Sequence, residues 1–138
     1  MRIRSFQKDD QLKVLELWQR CGLIVPWNDP AADIERKLLI QPELFLIGSK
    51  DSKLIGSAMG GYDGHRGWIY YLAVDPDHRG QGNGRKLVDY LAGQLRAKGC
   101  PKINIMVRTT NSEMIDFYLK LGFKGDEVVC LGKRLPDD

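Results

Sequence analysis

Apolar residues recur along this chain with two periods, and the switches between them mark out its elements. Arg2-Ile3-Arg4-Ser5-Phe6 predicts a first strand. Val14, Leu17, Trp18 and Cys21 fall at helical spacing, with Asp9 or Asp10 as N-cap and Gly22 as the stop. Leu23 to Asn28 is a loop with a heavy apolar load, in which Ile24 and Val25 are expected to cover the core. Asp29-Pro30 then opens a second helix, an N-cap followed by proline at the first helical position. Its buried face carries Ile34 and Leu38, and Pro42 closes it. Leu44 to Ile47 and Leu54 to Met59 read as strands joined by the polar hairpin Lys50-Asp51-Ser52-Lys53. A glycine-rich link, Gly60 to Gly67, leads to the apolar run Trp68 to Val74, a central strand.

Beyond the turn Asp75 to His78, Leu87, Val88, Leu91 and Leu95 define a third helix, stopped by Gly99 and Pro101. Ile103 to Val107 is a fifth strand, and Asn111 to Leu121 a fourth helix with Ser112 as N-cap and Gly122 as stop. Phe123 opens a short strand, and Val128 to Leu131 is the last. The order β-α-α-β-β-β-α-β-α-β-β predicts an α/β fold: a mixed sheet of about seven strands with four helices on both faces.

One stretch carries chemistry. Between the central strand and the third helix lies Arg79-Gly80-Gln81-Gly82-Asn83-Gly84-Arg85. A glycine loop that opens a helix presents unpaired backbone N–H groups and the positive helix end to an anion. Glycines allow phosphate oxygens to come close, and Arg79 and Arg85 add positive forks. The loop has no Gly-Lys-Ser/Thr ending and no dinucleotide glycine spacing, which argues against both common nucleotide loops.

At 138 residues the chain is expected to form one domain, residues 1–138, with a single core. Its net charge of +3 suits a polyanionic ligand, but no basic run marks a nucleic-acid binder. Three unpatterned cysteines suggest neither a disulfide framework nor a zinc site, so a reducing cytoplasm is expected. No apolar run reaches membrane-spanning length, and no membrane partner is expected.

Arg79-x-x-Gly82-x-Gly84 after a Leu-Ala-Val strand and an Asp-Pro turn resembles the acetyl-CoA motif of the GNAT N-acetyltransferase superfamily. A second segment agrees: Asn111 to Phe123 resembles the family's Asn-x-x-Ala-x-x-Phe-Tyr followed by Gly-Phe, with Met114 replacing the alanine. Trp27-Asn28-Asp29-Pro30, Gly60 to Gly67, Gly99 to Ile103 and Leu131 to Leu135 resemble the small bacterial YpeA-type branch. The resemblance implies a sheet of mostly antiparallel strands, and acetyl-CoA as cosubstrate without a metal. It implies loop amides from Arg79 to Arg85 on the pyrophosphate, and Asn111 near the pantetheine or ribose. It further implies backbone bonds from Leu72, Ala73 and Val74 to the pantetheine arm. A splayed or bulged strand would free the Val74 N–H to polarise the thioester carbonyl. Tyr118 would lie near the sulfur and protonate the departing thiolate.

Related N-terminal acetyltransferases carry a glutamate where Met106 stands, and histone-type members carry one near Trp68; neither carboxylate is present here. The amine could lose its proton to water, or along a water chain past Tyr70, Asp63 or Glu43. Trp27, Asn28, Tyr62, Asp63 and Tyr70 are the candidate acceptor residues. The reading is transfer of acetyl to a primary amine, on a small molecule or a peptide N-terminus, in a ternary complex. A non-catalytic acyl-CoA sensor is the alternative, and a homodimer is left open.

Overall fold

A computed structural model of the protein describes residues 1–136. The chain divides into two compact units, Met1–Ile105 and a second beginning at Met106. The first holds a mixed sheet of five strands in the order β1-β2-β3-β4-β5. These are β1 (Arg2–Ser5), β2 (Phe45–Lys50), β3 (Lys53–Tyr62), β4 (Gly67–Val74) and β5 (Ile103–Asn104). The first four pair antiparallel, and β5 runs parallel to β4. Helices α1 (Gln11–Arg20), α2 (Pro30–Leu39) and α3 (Asn83–Ala97) belong to the same unit.

Successive residues of β3 face opposite sides of the sheet, and this alternation assigns the helices. Ser57 faces α1, accepting a hydrogen bond from Trp18 Nε1 at 2.8 Å. Trp18, Val14 and Leu17 join Phe6, Ile34 of α2, Phe45, Ile47 and Met59 in the buried core of that face. The neighbouring Gly56 faces α3. A Cβ there would lie 2.8 Å from Leu87 Cδ1; at Gly60 it would lie 2.5 Å from Leu91 Cδ1, and at Gly67 3.2 Å from Leu95 Cδ1. Leucines spaced by four on one helix face thus seat against three glycines of the sheet. Each such burial contributes roughly 1.5–3 kcal/mol.

Local signals account for the helix ends. Asp29 Oδ1 accepts from the Ala32 N–H at 3.1 Å with Pro30 at the first helical position, as expected for α2. Gly22 and Gly99 take positive φ and close α1 and α3, with Leu23 N–H bonded to Trp18 O and Cys100 N–H to Leu95 O. At the start of α1 the Asp10 carboxylate does not cap the helix; it accepts instead from the Gln7 N–H and forms a two-pronged pair with Arg4.

The second unit contains α4 (Ser112–Lys120), whose N-cap is Asn111 rather than Ser112. Gly122 ends it, with Phe123 N–H bonded to Tyr118 O. The sheet has five strands where about seven were expected. Neither Phe123 nor Val128 to Leu131 lies in a strand. Val128, Val129 and Leu131 are 77–89% exposed, so these residues have neither the ladder partner nor the buried face that holds a strand. The fifth strand is also shorter than its apolar run, pairing with β4 only at Gly67 and Trp68. Ile24, expected to cover the core, is exposed; Leu23 packs there instead.

Candidate active site

The centre of the first unit is a fault in the β3–β4 ladder. Met59 pairs with Tyr70 but Ser57 pairs with Ala73, so Tyr71 and Leu72 together oppose Ala58. This is a bulge, one extra residue on one strand. Tyr71 takes φ +51°, a left-handed conformation uncommon for a bulky side chain. Beyond the bulge the Asp75 N–H donates to Ile55 O at 2.7 Å. In an antiparallel ladder the preceding residue turns its polar groups to the opposite edge. Val74 therefore directs its N–H away from β3. Its carbonyl, which shares that edge, accepts from Arg79 Nε at 3.1 Å and Cys21 Sγ at 3.3 Å.

The strand then enters the glycine loop. Asp75 is buried and accepts from the Asp77 N–H at 2.9 Å and from Arg20 at 2.7 Å. Burial alone would raise its pKa, but the Asp77 amide and the Arg20 charge hold the carboxyl below its ordinary range. A charged aspartate thus anchors the loop to α1. Gly80 and Gly82 have φ +76° and +80°. A Cβ on either would meet no atom within 4 Å, so the left-handed backbone, and not crowding, calls for glycine here. Gly82 is the N-cap of α3 and offers no side chain to its first amides. The first helical bond is Lys86 N–H to Gly82 O, which leaves the Asn83, Gly84 and Arg85 amides without helical acceptors. Left-handed glycines at 80 and 82, followed by unpaired amides at a helix start, are features found in loops that bind and cradle anions.

The side chains around this cradle divide. Asn83 is buried, its Nδ2 bonded to His78 O at 3.0 Å, so only its backbone amide serves the cradle. Arg79, Gln81 and Arg85 are exposed, and Arg85 Nε stands 3.8 Å from Asp89 Oδ2. Leu72 is half-buried, while Ala73 lies in the core. The cradle and the freed edge of β4 fit a diphosphate attached to an extended chain that can pair with backbone, the form of a pantetheine thioester.

Among the candidate acceptor residues, Asp63 acts as a turn anchor. It accepts from the His65 and Arg66 amides at 2.8 and 2.7 Å and from Trp68 Nε1 at 3.3 Å. The Arg66 and His65 amides hold its carboxyl below the usual range, away from the raised value that suits a base. Glu43 is held low by its bond from Lys98 Nζ at 2.7 Å. Tyr62 closes the end of β3, exchanging backbone bonds with the Gln41 side chain at 2.9 Å. Trp27 and Tyr70 are 51% and 43% exposed, and Asn28 is exposed beside Trp27.

In the second unit, Asn111 Oδ1 caps α4 by accepting from the Met114 N–H at 3.3 Å. Tyr118 is buried, its ring edge-on to Phe117 and Phe123 with centroids 5.1 and 5.2 Å away. Burial pushes its phenol well above the ordinary value, so the oxygen keeps its proton.

Sequence reasoning did not find Tyr71 or Asp75. Every residue from Trp68 to Val74 but the bulge-side tyrosines is apolar, so no alternation betrays the inserted residue. The adjacent tyrosines Tyr70-Tyr71 are the one available signal.

Comparison with known proteins assigns the fold and family. The model of the Acetyltransferase (GNAT) family matches residues 11–123. An acetyltransferase of Yersinia pestis is 53% identical over 135 residues, covering 98% of this chain and 96% of its own. The ribosomal-protein-S18-alanine N-acetyltransferase of Escherichia coli has a structure similar to this one, with TM-score 0.74 and 26% identity, covering 89% of this chain and 77% of its own. A further solved structure, AAC(6')-Iy in complex with the bisubstrate analogue CoA-S-monomethyl-acetylneamine, has TM-score 0.79 at 20% identity and covers 97% of this chain and 98% of its own. This chain, with its glycine cradle and bulged central strand, belongs to the GNAT family of N-acetyltransferases.

Proposed function

We propose that this enzyme moves an acetyl group from acetyl-CoA to a primary amine by direct transfer in a ternary complex. The observation that carries the reading is the Val74 N–H, turned off the β3 ladder at the strand end that leads into the glycine cradle. The cosubstrate supplies an activated thioester. The Gly80 to Arg85 amides hold its pyrophosphate, and Arg79 and Arg85 add charge. Leu72, Ala73 and Val74 hold the extended arm, and the Val74 N–H stabilises charge developing on the carbonyl oxygen.

The amine attacks as the neutral base, forming the C–N bond as the C–S bond breaks. Its surplus proton leaves to water, because Asp63 and Glu43 are held by other donors. The family resemblance assigns Tyr118 the proton for the departing thiolate. Three free cysteines among the described residues support a reducing, cytoplasmic setting.

The test is thiol release from acetyl-CoA across a panel of polyamines, amino acids, aminoglycosides and peptides with free N-termini. Release that depends on one amine class, with the N-acetyl product identified by mass, is the expected result. Absence of amine-dependent release across the panel would overturn amine transfer.

A further inference from the structure

We propose that Tyr71 is a positioning residue for acetyl transfer: its side chain locks the bulge that turns the Val74 N–H out of the sheet. The role given to Val74 rests on the function proposed above. The lock itself is a property of the free protein.

Two backbone bonds show what the bulge does. Before it, the Asp63 N–H donates to Arg66 O, so position 66 of the returning chain bonds toward β3. The Gly67 N–H, next in line, points the other way and donates to Lys102 O at 2.8 Å. Alternation with period two would continue this pattern, placing even-numbered residues, Val74 among them, toward β3. Beyond the bulge it is Asp75 whose N–H bonds to β3. Both cannot hold in an unbroken ladder. The extra residue at Tyr71 inverts the phase, and only the inverted phase frees the Val74 N–H.

Left-handed φ at a tyrosine persists only where its surroundings over-determine it. Three contacts do so here. The ring stacks on Trp18, with centroids 3.9 Å apart and planes 13° from parallel. The phenol donates to Asp33 Oδ2 of α2 at 2.6 Å. The Tyr71 carbonyl accepts from Ser57 Oγ at 2.8 Å, and that hydroxyl in turn accepts from Trp18 Nε1. Ser57 is completely buried and sits in β3 beside the fault. Trp18 thus supports both the ring and the backbone of one residue. Helices α1 and α2, remote in sequence from the cradle, define the backbone phase of the residues that enter it.

The test compares Tyr71→Ala, Tyr71→Phe and Ser57→Ala with the parent. Amide hydrogen exchange on the free protein reads the phase directly. In the parent, Asp75 is expected to be protected by its bond to Ile55. The Val74 amide is expected to exchange faster. Tyr71→Ala should change the Val74 and Asp75 amides and lower kcat by about tenfold or more, as misplacement of a reacting group does. KM for acetyl-CoA should change less than kcat, because the glycine loop is untouched while the Val74 N–H is displaced, and Tyr71→Phe should recover most of kcat by keeping the stack. A Tyr71→Ala protein that melts earlier but keeps the parent kcat and Val74 amide behaviour would overturn the proposal. Should Tyr71→Ala fail to fold, Ser57→Ala carries the same two readouts, and parent-like values of both would overturn the proposal in the same way. If the parent shows no acetyl transfer, the function above fails, while the amide measurement still decides whether Tyr71 sets the phase.

Discussion

Gly82 illustrates what one residue can contribute without touching anything. Its φ of +80° would strain any side chain, although the space beside it is open. Gly82→Val should therefore leave the core intact but turn the first α3 amides off their common target. Losing one bond to a charged oxygen costs about 1.5–3 kcal/mol, so CoA affinity should fall roughly 10- to 150-fold in a calorimetric titration. Parent-like affinity would remove the loop from the pyrophosphate site. Tyr118 poses a sharper question, because burial keeps its proton in place and also makes it a weaker acid. Tyr118→Phe keeps the contacts with Phe117 and Phe123, so melting temperature should hardly change, whereas kcat should fall by about 100-fold, toward the lower end for general acid catalysis. Undiminished kcat would leave solvent as the proton source. The folded phenol holds its proton above the pH at which the unfolded one releases it. Its contribution to stability is thus complete below about pH 10 and is lost as the pH rises further.

Helix α3 seats its leucines against glycines of the sheet. Its leucines were legible from their spacing, but the glycines that receive them were not. Gly56 lies in an apolar run that reads as an ordinary strand, and Gly60 and Gly67 bound a glycine-rich link that reads as a turn. Only the packed structure shows Leu91 against Gly60. Gly60→Ala should cost about 1–3 kcal/mol by overpacking, since Leu91 is fully buried and cannot swing aside. In a Leu91→Ala background the same change should cost less, and a double-mutant cycle by denaturant unfolding measures that coupling. Equal costs in both backgrounds would mean that the glycine serves something else. The helix ends were legible because Asp29-Pro30, Gly22, Gly99 and Gly122 act through local backbone chemistry. The last two expected strands were misread because an apolar run such as Val128 to Leu131 states a preference for burial, not a partner.

For the molecule as a whole, a ligand that binds only the folded state must stabilise it. CoA at about 100 times its dissociation constant should contribute about 2.7 kcal/mol, raising the melting temperature by several degrees. Desulfo-CoA should serve nearly as well, since the proposed anchor is the glycine loop on the diphosphate and not the thiol. No shift with either at millimolar concentration would remove the cofactor site. The net charge of +3 favours this polyanion without directing it to any one place. By itself, the sequence determined what depends on neighbours along the chain: the helices and their stops, the first strands, the glycine loop at a helix start, and the motifs that signal acetyl-CoA. Tertiary structure alone decided which residues oppose one another across the sheet. Strand register is a long-range choice, and one inserted residue reverses every bond that follows it. That is why the phase of Val74, the hold of Trp18, Ser57 and Asp33 on Tyr71, and the engagement of Asp63 and Glu43 by other donors appear only in the folded chain.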